Sequence, residues 1–509
     1  MRPIEKWIWL NREKYPDFQN TKYAGLAGDG DYQYAVAEFK REYKFDKKVE
    51  FVKIRFSGDA EFRLYFGDAI IATGPVSVGG DFLGNDMPRG AHYASMMTLP
   101  VDSDTFSFFA QVKLKPVAIC EYSKGHGGFM LTGWVTFDDG TETVITTDST
   151  WQARLNRSYL GPHRGLPDAF DSRILPEEYA DAEVIPNIWH CEDAEIPVRT
   201  EERITPDGVP LKLAAGESKE FILELDRIYA GFIELHVQTR GILNVRMNAL
   251  ERVGDGDYEE KCIFDRDSVY RGFQLYSVGG LVIKAENTSD SEALITPVVI
   301  STCYPVETEA KTTTSDKELN DVLDVCAHTL KYCRQMIHLD SPKHCEPLAC
   351  TGDYYIESLM TLFSFGDMRL AEFDVKRTAE LLRNNGGRMF HTTYSLNWVQ
   401  ILYDVYLHAG RRALLDECRD ALVMLLDLFE TYVGDNGLIE TPPDYMFIDW
   451  IFIGDISLHH PPKALGQTCL NMYYYGALGT AAKIFSVLGN DQIAERYAAM
   501  AEELKQNIY

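Results

Sequence analysis

Positive charge is scarce in this 509-residue sequence. Lys and Arg number 50 against 77 Asp and Glu, which leaves a net charge of −27. A surface that acidic repels phosphate backbones and anionic headgroups, so it argues against nucleic acid or a membrane surface as partner. It does not exclude a neutral carbohydrate. No apolar run approaches the roughly 18 residues that mark a membrane span. The start, MRPIEKWIWLNREKYPDF, lacks the apolar core of a secretory signal, and a cytoplasmic location is the resulting expectation. The ten Cys contain no CxxC pair, which removes the zinc-ribbon and thioredoxin readings. There is no P-loop, no GxGxxG after a strand, no GxSxG and no HExxH. Neither a cofactor nor a bound metal is expected.

What the sequence does hold is a change of period near residue 311. Before it the pattern is mostly strand. Val52, Ile54 and Phe56 alternate with Lys53 and Arg55, and Phe62, Leu64 and Phe66 alternate ahead of a Gly67-Asp68 turn. Further strands are expected at 141–148, 220–226, 231–239, 241–247, 280–287 and 293–301. Short strands with frequent turn signals predict antiparallel β-sandwiches. Residues 150–200, interrupted by Pro162, Pro167, Pro176, Pro186 and Pro197, read as irregular.

After residue 315 the spacing is helical. Leu414, Leu415, Cys418, Ala421, Leu422, Leu425, Leu426 and Phe429 make one apolar face. Other helices are expected at 318–337, 353–365, 368–384, 394–408 and 464–487, with a last one through Ile493 and Leu504. Ser315 with Glu318 fits a capping box at the first of them. The predicted architecture is multidomain β + α: a β-sandwich of lectin or jelly-roll type over 1–200, a second β-sandwich over 201–312, and antiparallel helix pairs over 313–509.

Two loops could carry chemistry. In DSPKHCEPLACTGD (340–353), Pro342 and Pro347 forbid a continuous helix, and the acids Asp340, Glu346 and Asp353 are spread along a long connection. Such a loop at the mouth of a helical array can point several carboxylates into one cavity. The bland alternative is that Asp353 caps the next helix and Asp340 caps a turn. The second loop, 437–462, holds Asp449, Trp450 and the pair His459-His460. Adjacent His side chains rarely ligate one ion, so satisfied polar loop residues are the favoured reading there. Trp398 reads by its helical setting as a core anchor.

The 340–353 loop, with Thr-Gly-Asp closing it, resembles the signature of glycoside hydrolase family 78, the α-L-rhamnosidases. The order of parts, β regions and then helical hairpins, is similar too. The resemblance implies an (α/α)6 six-hairpin toroid and inverting hydrolysis of terminal α-L-rhamnosyl or related deoxysugar linkages. It places Glu346 as the general acid. Asp340 and Asp353 would hold sugar hydroxyls, with Trp398, Asp449 and Trp450 as further sugar contacts. His344 stands where the family has Arg, and Cys350 where it has Trp, so the sugar-contacting shell differs. A non-catalytic carbohydrate-binding protein on the same scaffold is the alternative, and a purely structural connection is a third reading. Twelve helices at roughly 15 residues each, with about six per connection, need about 250 residues. Only 197 follow residue 312. The expectation is therefore a C-terminal truncation whose general base lies beyond Tyr509, with weak or absent turnover. Exposed apolar helix surface and association into homo-oligomers are expected with it.

Overall fold

The computed structural model describes residues 5–15, 34–59, 61–75, 91–114, 126–160, 169–252, 259–342, 350–440, 442–444, 446–449, 452–457 and 463–508. Two large sheets occupy the first part. The spine of the first runs in space through Glu183–Ile185, Trp7–Trp9, Gly128–Phe137, Ala35–Asp59, Ala91–Leu114, Glu61–Phe66 and Ala69–Gly74. The expected alternation holds in part: Val52, Ile54 and Phe56 are buried and Lys53 is exposed, but Arg55 is buried too, paired with Glu5 and Asp193. The Glu61–Phe66 and Ala69–Gly74 strands form the expected hairpin, with Gly67 at φ 57° in the turn, a conformation that favours glycine. The strand Ala35–Asp59, separated from this hairpin in the sheet by Ala91–Leu114, is far longer than the sequence suggested, at 25 residues, and absorbs register shifts between Lys44 and Phe51.

A buried carboxylate pins this strand. Glu38 accepts from Gln111 Nε2 at 3.0 Å, Asn156 Nδ2 at 2.7 Å and Arg154 Nε at 2.6 Å. With three donors the charge is compensated where water is excluded.

The second sheet follows the order Thr200–Ile204, Ala293–Cys303, Ser218–Gln238, Tyr276–Asn287, Leu243–Leu250, Glu259–Phe264, Ala169–Asp171 and Tyr159–Leu160. It therefore draws strands from before residue 201. The segments predicted as separate strands at 220–226 and 231–239 are one strand, broken in register between Glu224 and Tyr229. The stretch 150–200, read as irregular, contains short strands such as Gln152–Leu155 and His190–Asp193, the latter pairing in parallel with Ala91–Leu114.

The helical part begins with α1 (Lys317–Cys333). Its cap is Asp316, not Ser315: Oδ1 of Asp316 accepts from the backbone N–H of Glu318 at 2.9 Å and of Leu319 at 3.3 Å. Asp316 is held there because Thr314 Oγ1 accepts from its N–H at 3.1 Å. The chain continues through α2 (Thr351–Phe365), α3 (Arg369–Asn384), α4 (Thr392–Ala409), α5 (Arg412–Glu417), α6 (Arg419–Glu430), α7 (Lys463–Leu488) and α8 (Asp491–Ile508). The apolar face 414–429 was read as one helix; it bends at Cys418, which ends α5 and starts α6. Helices α2, α4 and α7 pack in a row, and α3 packs on both α4 and α6. Gly366 and Gly410, both in the left-handed region, end α2 and α4.

The helices join the first sheet through a common core, in which the Tyr93 and Phe373 rings meet edge to face at 4.9 Å. Apolar side chains remain exposed along the inner row: Ile356, Met360 and Phe363 on α2, Leu407 on α4, and Met472 and Tyr475 on α7. Phe363 is 71% exposed.

Trp398 on α4 is 0% exposed, and its indole N–H donates to the Val375 carbonyl at 3.0 Å. The ring anchors α4 to α3, which corrects its placement as a sugar-pocket wall. Trp398→Ala should lower stability by about 3–5 kcal/mol, the usual cost of removing a buried large aromatic. Urea denaturation checks this; a loss below about 1 kcal/mol would show that the ring does not carry the α3–α4 contact.

Candidate functional site

The loop that carries Asp340, His344, Glu346 and Asp353 leaves α1 and re-enters the helical layer at α2. His344 and Glu346 lie outside the described residues, as do Trp450, His459 and His460. The two ends of the loop are described, and each is tied down.

The first tie is His338. Its ring is fully buried, with Nδ1 2.7 Å from Asp374 Oδ2 on α3 and Nε2 2.9 Å from Thr361 Oγ1 on α2. A proton on Nδ1 donated to the carboxylate, with the Thr361 hydroxyl donating to Nε2, satisfies both contacts. Arg377, also buried, lies 3.8 Å from the other Asp374 oxygen and donates to the Tyr354 hydroxyl at 2.9 Å. Two residues on, Asp340 emerges at the surface. The Cys333 thiol lies 3.6 Å from the Asp340 carbonyl; burial pushes that thiol up to about 12, so it remains a donor. The Ser341 N–H donates to the Asp340 carboxylate.

The second tie is the Thr351-Gly352-Asp353 triplet at the start of α2. Thr351 Oγ1 donates to the Tyr394 carbonyl on α4. The Tyr394 ring lies directly over Gly352, where a Cβ would meet ring atoms at 2.3 Å. Glycine is required there for close approach rather than for an unusual backbone angle. The third residue, Asp353, is half-buried in the first turn of α2, where a carboxylate suits the helix dipole. Cys350 is the residue that caps α2, so Asp353 does not.

Tyr394 links this end of the loop to the second candidate stretch. Its phenol is held above its ordinary range first by burial and then by the charges of Asp353 and Asp449. Asp449 itself is exposed. Around Tyr394 the rings of His391 (5.4 Å) and Phe447 (5.3 Å, edge to face) make an aromatic group, and His391 and Phe447 stand 5.1 Å apart. The Thr393 hydroxyl donates to the Phe447 carbonyl and ties the 446–449 segment to α4. Asp353 and Asp449, 96 residues apart in sequence, are thereby brought to one phenol.

A further carboxyl lies below. Glu357 is one turn after Asp353 on α2 and is 7% exposed. Burial, and then the charges of Asp353, Asp374 and Asp340, push its carboxyl well above the usual range. Sequence reasoning missed Glu357, Tyr394, His391 and Phe447. The i, i+4 step from Asp353 to Glu357 was visible in the sequence; the aromatic group, made by residues 391 to 447, was not.

Comparison with known proteins agrees with this arrangement. Residues 307–509 match the family model of the bacterial alpha-L-rhamnosidase 6 hairpin glycosidase domain. None of the curated proteins matches the sequence. Among solved structures, the family 78 rhamnosidase of Bacillus sp. GL1 superposes with a TM-score of 0.78 at 12% identity, covering 99% of this chain and 76% of that one. The alpha-L-rhamnosidase from Dictyoglumus thermophilum gives 0.71 at 16% identity, covering 99% of this chain and 59% of that one. That of Streptomyces avermitilis, complexed with L-rhamnose, gives 0.68 at 15% identity, covering 93% and 48%. At these identities the superpositions establish the fold.

The fit of Tyr394 over Gly352 yields a test. Gly352→Ala should cost about 1–3 kcal/mol, the usual range for overpacking. In a Tyr394→Ala background the same change should cost less than about 0.5 kcal/mol. Equal costs in the two backgrounds would mean the ring is not what Gly352 accommodates. Residues 307–509 thus match the six-hairpin glycosidase domain described for bacterial alpha-L-rhamnosidases, and the order of β sheets followed by helical hairpins is the fold the chain shares with those solved structures.

Proposed function

We propose that the protein is a glycoside hydrolase acting on terminal α-L-rhamnosyl or closely related deoxysugar linkages, with inversion at the anomeric carbon. The observation that carries this reading is the convergence of the separately tied loop ends, bearing Asp340 and Asp353, on one buried acidic centre beside the His391–Tyr394–Phe447 aromatic group.

The chemistry assigns a role to each residue. Glu346 is the acid that protonates the leaving oxygen. Inversion requires a second carboxylate, roughly 6.5–9.5 Å from it, to activate water on the opposite face. Asp340 and Asp353 accept hydrogen bonds from sugar hydroxyls, and as ionised acceptors each bond is charge-assisted. Asp449 adds an acceptor from the other side of Tyr394. The aromatic group offers ring faces to the apolar C–H face of a deoxysugar, and Trp450 would extend it. His344 sits where a guanidinium is usual in the family, and an imidazole gives one donor where Arg gives a bidentate fork. Selectivity among deoxysugars is therefore expected to be broader than that of an Arg-bearing site.

Hydrolysis of alkyl and aryl α-L-rhamnosides, followed by NMR of the released anomer, tests the reading. Glu346→Gln should lower kcat by about 10²–10⁴ on the alkyl substrate, the range supplied by general acid catalysis. Asp353→Asn should raise KM by about tenfold or more, the loss of one charge-assisted hydrogen bond. Full turnover by Glu346→Gln would remove it from the acid role. Rhamnoside binding without hydrolysis by the unaltered chain would favour the carbohydrate-binding alternative.

A further inference from the structure

Glu357 has no part in the chemistry just described, yet its setting is unusual. It projects from α2 one turn below Asp353, so the two share a helix face. The residue is more than nine-tenths buried, and its Oε2 has no hydrogen-bond partner. A buried carboxylate without a donor is among the costliest arrangements a protein can hold, whereas a carboxylic acid is tolerable there. The charged and titratable groups around it come from each neighbouring element. They are Asp353 on its own helix, Asp340 on the loop, Asp374 on α3 and the Cys333 thiol on α1. Asp374 in turn carries His338 at 2.7 Å and Arg377 at 3.8 Å, so the cation nearest to this group is already engaged on α3.

We propose that Glu357 is a positioning residue that works as an uncharged carboxylic acid next to the two tied loop ends, letting Asp340 and Asp353 serve together as sugar-binding acceptors. This rests on the function proposed for those two residues. Ionisation of Glu357 would add a negative charge under two others at low dielectric, and the loop ends would be driven apart. Burial and its three carboxylate neighbours both act against that ionisation. The sign of the linkage follows. A carboxyl raised in the folded state contributes stability that is complete below its unfolded value, near 4.5, and is lost as pH rises through its folded value.

Hydrogen exchange over residues 334–353, corrected for the intrinsic pH dependence, tests the proposal without needing turnover. As pH is raised from about 5 through the alkaline range in which the chain stays folded, protection in the unaltered chain should fall by about tenfold or more, the equivalent of one pKa unit of coupling. Glu357→Gln and Glu357→Met, which cannot ionise, should hold protection within about threefold. Two variants are used so that one poorly folded protein does not decide the result. A merely structural role would move the global melting temperature and leave this local, pH-dependent difference absent. Loss of protection with pH in a folded variant as in the unaltered chain, or no loss in the unaltered chain, would overturn the proposal. In the parallel rhamnoside assay, the alkaline limb of kcat/KM should move upward in Glu357→Gln. Absence of hydrolysis in every form, with the exchange difference intact, would count against the proposed function and support the role of Glu357.

Discussion

The buried contact of His338 with Asp374 and Thr361 is the constraint on which the site depends. It joins three pieces of chain at one imidazole: the segment leaving α1, the middle of α2 and the middle of α3. The local contacts of this segment, Leu339 N–H to the Cys333 carbonyl and the Cys333 thiol to the Asp340 carbonyl, shape the turn, and His338 ties that turn to α2 and α3. Such contacts are costly to assemble and more costly to break. Removing one partner of a buried hydrogen bond commonly costs about 1–3 kcal/mol, because the other group is left desolvated and unsatisfied. Here Asp374 has Arg377 as a second neighbour, and Arg377 in turn donates to the Tyr354 hydroxyl. The anchor is thus a network across α2 and α3, and its rigidity is passed to the loop.

The other end of the loop is held by shape more than by charge. The Tyr394 ring occupies the space over Gly352, Thr351 donates to the Tyr394 backbone, and Asp353 faces the same phenol. One residue of α4 therefore accounts for all three members of Thr-Gly-Asp. The same residue reaches Asp449, which sits beyond Phe447 in a segment tied to α4 by Thr393. The two described loop ends are thus fixed by separate sets of contacts.

Much of the helical half was legible because its apolar periodicity is strong. The expected 353–365, 368–384 and 394–408 correspond to α2, α3 and α4 within about two residues, the usual uncertainty of helix ends. The Glu61–Gly74 hairpin was legible from alternation and its Gly-Asp turn. The long Ala35–Asp59 strand was not, because its polar middle is stabilised by pairing with Ala91–Leu114, a contact no local pattern encodes. Ser315 lost the cap to Asp316 because Thr314 fixes the preceding turn. In the candidate site, Asp340, Asp353 and Asp449 were singled out from residue type, spacing and family resemblance, and the structure sets Asp353 and Asp449 near one phenol. Trp398 was misassigned by that resemblance, and its helical setting gave the better reading. His338 and Glu357 were overlooked because their partners are other helices: Asp374 lies 36 residues from His338, and the charges that act on Glu357 come from three different elements.

The central claim is that the His338–Asp374 contact positions the sugar-binding carboxylates, and a double-mutant cycle in ligand affinity addresses it most directly. L-rhamnose affinity would be measured by calorimetry for the unaltered chain, His338→Ala, Asp374→Ala and the double variant, each confirmed folded by circular dichroism. The account predicts that each single change weakens binding and that the pair is coupled by at least about 1 kcal/mol, since contacting residues in one network are non-additive. Additive effects, or full affinity in either single variant, would contradict it.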